Sequence, residues 1–465
     1  MDTFSCLAID MGASNIRIIS GVFSSHLEFR EIHRFENKME LIDGHYRWNL
    51  KSIHNGIRKG IRKALETTPG KISSIGVDSW GVDFVMLGKN GEFIEYPVAY
   101  RDGRINGMPE EWGKYMSKEE TFKRTGINFY PFNSLFQFLS IKNSGIHKKA
   151  GRILFIADYI NYFLSGNAVN ELTLSSTTQM LNAHSFDWDK TIIKNLGIKP
   201  SLLATPVKNG VIIGDLKEEF GGAGIKVTLV PGHDSAGTLL AIPNKTNNYA
   251  FLSTGTWCVM GTESATLFDS EQALNGGITN EIAANGNFRP LKNLMGLWLI
   301  QKLRESFGGK SSFDEIEQMA ANTPPSKFLI DTSDEIFYNP KDMKQAFDEH
   351  THSKYGFSFS SEGEYYRCAY DSLAASFNQC LKEFEKLRGK KFECIHITGG
   401  GSQSKLLCRL TANTTGLAVY AGPVEGASIG NLLSQALTFK FISSIEEGKK
   451  IVRDSFEVQE YKPEG

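Results

Sequence analysis

The chain has 465 residues, 41% of them hydrophobic and 22% charged, a length that implies two or three domains at roughly 100–200 residues each. Its 51 Lys+Arg balance 52 Asp+Glu with no long single-sign run, which argues against a nucleic-acid binder, and the apolar share excludes a disordered chain. Glycine, at 45 residues, stands above the usual share and points to tight backbone turns near ligands.

The opening MDTFSCLAID has neither the basic start nor the apolar run of a signal peptide. No run reaches the ~18–20 apolar residues that cross a bilayer. The six cysteines are scattered, form no CxxC pair and read as buried thiols of a reducing compartment, with no structural zinc. A cytoplasmic protein is expected, a monomer or homodimer with small-molecule partners, no nucleic acid and no membrane.

In chain order, short apolar runs end in Gly/Asp/Ser turns: FSCLAID (4–10), IRIISGVF (16–23), ISSIGVD (72–78), VTLVPGHD (227–234), YAFLSTGTW (249–257) and CIHITGGG (394–401). A long helix is predicted over 364–388, where Tyr366, Ala369, Tyr370, Leu373, Phe377, Cys380, Leu381 and Phe384 recur at helical steps. Shorter helices are predicted over 402–414 and 428–440. Two hairpins with small polar turns, near residues 4–23 and 249–261, suggest two related α/β domains. IPNKTNN (242–248) is the natural boundary, which predicts domains at 1–245 and 246–465 and a cleft for a small molecule.

Four turns could carry chemistry. In Asp10-Met-Gly12-Ala13-Ser14-Asn15-Ile16-Arg17, a small polar turn offers backbone N–H groups to an anion, Asp10 suits hydrated Mg²⁺, and Arg17 suits phosphate charge. Ser253-Thr254-Gly255-Thr256 repeats that chemistry. Either turn alone also fits an ordinary hairpin; together they fit a clamp on nucleotide phosphates. In Pro231-Gly232-His233-Asp234-Ser235, Asp234 is either a base for an attacking hydroxyl or a helix cap. Thr398-Gly399-Gly400-Gly401-Ser402 lets backbone lie flat against a ring or phosphate.

Three other matches are set aside. Gly309-Lys310-Ser311 lacks the first P-loop glycine, because Arg304 stands in its place. Gly426-Ala427-Ser428-Ile429-Gly430 matches a hydrolase elbow, but no histidine follows His396, so the start of a helix is the better account. The dinucleotide fingerprint is incomplete at Gly399-x-Gly401.

In this order the turns resemble those of the FGGY family of sugar kinases. The resemblance is carried by WGVDFVMLGKNGEF (80–93), YPVAYRDGR (96–104), TGINFYPFNSLFQ (125–137), PGHDSAG (231–237), LSTGTW (252–257), LKNLMGLWLIQ (291–301), ITGGGSQSKLL (397–407) and AGPVEGASIGN (421–431). It implies two actin-like ATPase (ribonuclease H-like) domains with an interdomain cleft, and ATP and Mg²⁺ as cofactors. It also implies phosphoryl transfer to the C1 hydroxyl of a 6-deoxy-L-ketohexose, L-rhamnulose, with L-fuculose as the alternative. The resemblance gives Asp234 the role of catalytic base and puts Gly81, His233, Ser235 and Asn293 against the sugar. It puts Gly12, Ala13, Ser14, Asn15, Arg17, Thr256, Gln301, Gly399, Gly400 and Gly401 against the nucleotide, with Asp10 at the metal. The first turn departs from the family pattern, since Asn15-Ile16 stand where Ser-Gly precedes the arginine; a β-branched residue there implies strand rather than a flexible bend. From another class, an actin-like ATP-binding regulator would keep both phosphate turns without needing Asp234 beside a sugar.

Overall fold

A computed structural model describes residues 3–464. The chain forms two compact units that interleave along the sequence. The first comprises the chain up to Pro243, Glu263–Pro290 and Gly426–Ser455; the second comprises Asn244–Thr262, Leu291–Glu425 and the chain from Phe456 onward. Two segments beyond the expected boundary at 245/246 thus belong to the first unit.

The first unit is built on β1 (Phe4–Met11), β2 (Asn15–Phe23) and β3 (Leu27–Glu36), followed by α1 (Leu50–Thr67) and β4 (Ile72–Ser79). Later come β5 (Val211–Asp215), β6 (Lys226–Leu229) and α2 (Asp234–Ala241). All eight residues of β1 are buried, as expected of a strand covered on both faces. The sheet order is β5-β6-β4-β1-β2-β3. β1 pairs antiparallel with β2 and parallel with β4, putting Asp10 opposite both Arg17 and Asp78. α1 buries Leu50, Ile53, Ile57, Ile61 and Ala64 on one face, and Asn49 caps it by accepting from the Ser52 N–H. It lies so close to the sheet that a Cβ on Gly60 would stand 2.6 Å from the Ile18 side chain.

The second unit holds β7 (Tyr249–Thr254), β8 (Trp257–Gly261), the Leu291–Met295 part of β9 (Phe288–Met295), α3 (Trp298–Ser306) and α4 (Glu362–Arg388). It continues with β10 (Cys394–Gly399), α5 (Lys405–Thr415) and β11 (Ala418–Ala421), and after α6 (Gly426–Thr438), which belongs to the first unit, with β12 (Gln459–Tyr461). Its strands run β12-β11-β10-β7-β8-β9. β7/β10 and β10/β11 are parallel, while β7/β8, β8/β9 and β11/β12 are antiparallel. Strand for strand, this is the order and sense of the first sheet, so the likeness of the two hairpins is a likeness of whole sheets.

The three strand-to-turn junctions end where sequence puts their glycines, but β6 stops at Leu229 and the Gly-rich loop begins four residues before Asp234. A short 3₁₀ turn, Gly400–Gln403, replaces the first turn of the helix predicted over 402–414. Among the described residues, no helix is long and apolar enough to cross a membrane, and all six cysteines are buried and unbridged.

Candidate active site

The first hairpin turn is held from inside and from behind. The Gly12 N–H donates to the Asn15 carbonyl (2.9 Å), and a Cβ at Gly12 would stand 2.9 Å from that same oxygen. Asn37 braces the turn, donating from its backbone N–H to the Ser14 carbonyl and from Nδ2 to the Gly12 carbonyl, each at 3.0 Å. Ser14 faces solvent while Ile16, already in β2, is fully buried. Behind the turn, Asp10 Oδ2 accepts from Arg17 Nη2 at 2.6 Å and from the hydroxyl of Ser428, a buried residue of α6. Burial, and next the charge of Asp10, push the Asp78 carboxyl well above the usual range, and Asn431 Nδ2 donates to it at 2.5 Å.

The loop after β6 is fixed by a buried carboxylate. Glu171 accepts from the Gly232 N–H (3.0 Å), the Leu174 N–H (2.8 Å) and the Thr173 hydroxyl (2.6 Å). A Cβ on Gly232 would crowd that carboxylate at 3.1 Å. The Ser79 N–H donates to the Gly232 carbonyl (2.9 Å), which ties the loop to the end of β4. His233 caps α2 and Asp234 is its first residue. Asp234 Oδ1 accepts from the N–H (2.5 Å) and the hydroxyl (2.9 Å) of Ser235, and a third of the side chain (32%) stays open. Burial raises its carboxyl above the usual value and the charge of Asp10 adds to that; His233 and the Ser235 hydrogen bonds hold the rise back.

Beside it, the backbone at Gly81 is forced. A Cβ there would stand 2.9 Å from Thr177 Oγ1, and the next residue, Val82, has φ 68°, a strained value for a β-branched side chain. The Val82 N–H donates to Thr177 Oγ1 (3.2 Å), and the Trp80 N–H to the Met11 carbonyl (3.3 Å) at the foot of the first hairpin turn. Asp83 anchors the segment from within: its Oδ2 accepts from the indoles of Trp48 (2.6 Å) and Trp80 (3.0 Å) and from the Tyr100 N–H (3.2 Å), and its Oδ1 from Gln137 Nε2 (2.9 Å). Burial outweighs those four donors and lifts the carboxyl to about 6 from an ordinary 3.8.

A folded-state value above the unfolded one contributes stability below pH 3.8 that is lost as pH rises to about 6. Asp83→Asn turns one amide hydrogen toward a donor, costing about 1–3 kcal/mol. Its deficit against the parent should be largest near pH 4 and narrow by about 1–3 kcal/mol by pH 7. Paired thermal melts across that range check this; a deficit that grows with pH contradicts it.

In the second unit the hairpin turn carries the same features. The Gly255 N–H donates to the Trp257 carbonyl (3.0 Å), while the Leu297 and Trp298 N–H groups donate to the carbonyls of Gly255 (2.9 Å) and Thr256 (3.1 Å). That places the start of α3, with half-buried Gln301, against the turn. The glycine triplet divides by role. Gly399, at φ 77°, lies against the Thr254 backbone, and a Cβ on Gly401 would stand 2.6 Å from Thr254 Oγ1. Gly400 has open space where a Cβ would go, so folding does not demand glycine there. Gly400→Ala should therefore melt within a degree or two of the parent while raising KM for ATP several-fold and leaving KM for the sugar unchanged. Unchanged ATP kinetics would remove Gly400 from the nucleotide site. Asn293, opposite Val259 in the β8/β9 register, lines a pocket of about 440 Å³ in this unit with Trp257, Tyr338 and Gln379.

Comparison with known proteins fits this arrangement. Residues 5–240 match the FGGY family of carbohydrate kinases, N-terminal domain, and residues 250–439 match its C-terminal domain. The chain belongs to the FGGY family of carbohydrate kinases. A curated FGGY relative, a rhamnulokinase of Klebsiella pneumoniae (strain 342), is 36% identical over 466 residues, spanning 98% of this chain and 94% of the relative. Among solved structures, ligand-bound xylulose kinase from Lactobacillus acidophilus superposes with TM-score 0.84 at 15% identity, covering 99% of this chain and 94% of that one. Plasmodium falciparum glycerol kinase with ADP gives 0.83 at 15% identity, covering 99% and 95%. The fold is the two-domain α/β fold of these sugar kinases, of actin-like ATPase type, and the chain is a phosphotransferase.

Sequence reasoning missed the supporting residues: Asn37, Asp78, Asp83, Glu171, Glu281, Arg289 and Asn431. Asp78, Asp83 and Asn431 are isolated polar residues among apolar or small ones, and Asn37, Glu171, Glu281 and Arg289 lie in mixed polar stretches; neither pattern is a signal without a partner in view. Ser428 was singled out only as a false hydrolase elbow; its buried hydroxyl is spent on Asp10 and lies at the start of α6. Lys310 sits in a loop after α3. Among the described residues, no three His, Cys, Asp or Glu side chains gather as a metal site. An ion held by one carboxylate with phosphate oxygens and water, the habit of Mg²⁺, needs no such cluster; Asp10, whose Oδ2 is engaged by Arg17 and Ser428, is the carboxylate at the turn that would hold it.

Proposed function

We propose that this FGGY kinase transfers the γ-phosphoryl group of ATP to the C1 hydroxyl of a 6-deoxy-L-ketohexose, L-rhamnulose in preference to L-fuculose. The observation that carries the chemistry is Asp234, a partly open carboxylate of raised proton affinity on the first residue of α2. The identity to a rhamnulokinase over nearly the whole chain supports the choice of sugar.

In this reading Asp234 accepts the C1 hydroxyl proton as that oxygen attacks the γ-phosphorus in line. Gly81, His233, Ser235 and Asn293 orient the sugar, and positioning supplies much of the rate. Gly12 to Asn15 and Arg17 receive the phosphates, while Thr256, Gln301 and Gly399–Gly401 hold the nucleotide. Mg²⁺ bound with ATP supplies charge neutralisation at the phosphates, and Asp10 is the residue that would hold it. Apart from Asn293, the sugar-binding and phosphate roles fall to the sequence half 1–245, and the nucleotide roles fall to 246–465. The buried thiols suit a cytoplasmic enzyme.

A coupled ADP-release assay over L-rhamnulose, L-fuculose, L-xylulose, D-xylulose and glycerol tests the reading. The highest kcat/KM is expected with L-rhamnulose. A higher value with L-fuculose moves the assignment to that sugar, and ADP release independent of any sugar favours an ATP-binding regulator.

A further inference from the structure

His233 is gripped from behind by a buried ion pair that none of the roles above uses. Glu281 stands on the short strand Thr279–Ile282, which is anchored by the Ile282 N–H donating to Ser176 Oγ (3.0 Å) and by Asn280 Nδ2 donating to the Gly126 carbonyl (2.9 Å). Arg289, essentially fully buried, donates from Nη2 to Glu281 Oε2. That same carboxylate oxygen lies 2.9 Å from His233 Nδ1, and Arg289 Nη2 lies 3.2 Å from it. On the other side of the ring, Nε2 is 3.4 Å from Asp234 Oδ1 and 3.4 Å from Ser235 Oγ.

The two neighbours of Nδ1 make opposite demands. A guanidinium nitrogen only donates, which would leave Nδ1 bare; an ionised carboxylate only accepts, which requires Nδ1–H. Burial alone would raise the Glu281 carboxyl, but its contacts with His233 and Arg289 prevail and bring it to about 2. Glu281 is thus ionised at neutral pH and is the nearer of the two. The balance selects Nδ1–H, and a ring carrying only that proton presents Nε2 as an acceptor toward Asp234.

We propose that Glu281, itself held by Arg289, is a positioning residue that fixes His233 as the Nδ1–H tautomer, so that Nε2 accepts a hydrogen bond from a second hydroxyl of the sugar next to the one Asp234 deprotonates. The inference rests on His233 being a sugar contact. It gives the site a directional test for substrates: a polyol whose second hydroxyl points elsewhere leaves both Nε2 and the Asp234 carboxylate facing each other without a bridging proton. Discrimination of this kind, where a buried polar group is left unpaired by the wrong substrate, exceeds what shape alone supplies.

The test uses full-length protein labelled with ¹⁵N-histidine, without substrates, at pH 8. Long-range ¹H–¹⁵N correlation should report His233 as Nδ1–H in the parent and in Glu281→Gln, whose amide oxygen still accepts, and as Nε2–H or a mixture in Glu281→Ala. In kinetics, Glu281→Ala should raise KM for the sugar about 10–100-fold with a smaller change in kcat and none in KM for ATP, and Glu281→Gln should recover most of it. If Glu281→Ala does not fold, the double variant Glu281→Leu/Arg289→Met removes the ion pair without leaving a buried lone charge, and the same tautomer change is expected. A parent ring protonated on Nε2, or a tautomer and sugar KM indifferent to these substitutions, overturns the proposal. Absence of any sugar kinase activity counts against the proposed function instead, and the ring-nitrogen measurement still decides this inference.

Discussion

Asp234→Asn should give a folded protein whose kcat falls about 10²–10⁴-fold, the contribution typical of a positioned general base. The substitution is nearly isosteric, and both donors from Ser235 to Oδ1 remain available to the amide oxygen, so the loop keeps its shape. KM for ATP should move by no more than a few-fold, since the first hairpin turn, the proposed phosphate site, is held by Asn15 and Asn37 and not by Asp234. In the parent, kcat/KM should fall as pH drops through the Asp234 value, which burial sets above that of an ordinary aspartate. That acid limb should vanish from the residual activity of the variant. Turnover near that of the parent would remove Asp234 from the chemistry.

Gly430→Ala should be the most damaging single methyl group in the first unit. α6 crosses α2 so closely that a Cβ on Gly430 would overlap the Gly237 carbonyl. Backbone cannot swing aside as a side chain can, so one helix must shift, at about 1–3 kcal/mol or more. The shift has a functional cost as well, because α2 begins with Asp234 and α6 begins near Ser428, which donates to Asp10. Activity at a temperature where the variant is still folded should therefore fall further than stability alone accounts for. Gly448→Ala is the control: there a Cβ meets only the Leu433 and Ile442 side chains, at 3.2 Å, and a change of a few tenths of a kcal/mol is expected, read by melts and turnover at one temperature.

How much of this was legible in sequence differs by residue. Strands β1, β4 and β10 could be read because they are buried on both faces and so appear as unbroken apolar runs ending in turn residues. The long helix Glu362–Arg388 could be read because its buried residues keep a helical spacing over many turns. The hairpin turns announced themselves by small residues that leave backbone exposed to a ligand. The allegiance of α6 to the first unit could not be read, because it rests on Gly430 meeting Gly237 and Ser428 meeting Asp10 across most of the chain. Gly399 and Gly401 look like binding residues in sequence, yet close contact with Thr254 already requires glycine at both, whereas Gly400 has open space where a Cβ would go. Glu281 and Arg289 each look like the exposed face of a strand in sequence, and their burial follows from pairing with one another and with His233.

The account stands most directly on where the phosphate is placed. L-Rhamnulose incubated with ATP, Mg²⁺ and enzyme should yield one product whose ³¹P signal correlates with the two C1 protons of the sugar, in amounts equal to the ADP formed. A phosphate correlated with any other carbon, or inorganic phosphate as the sole product in the presence of that sugar, would contradict it.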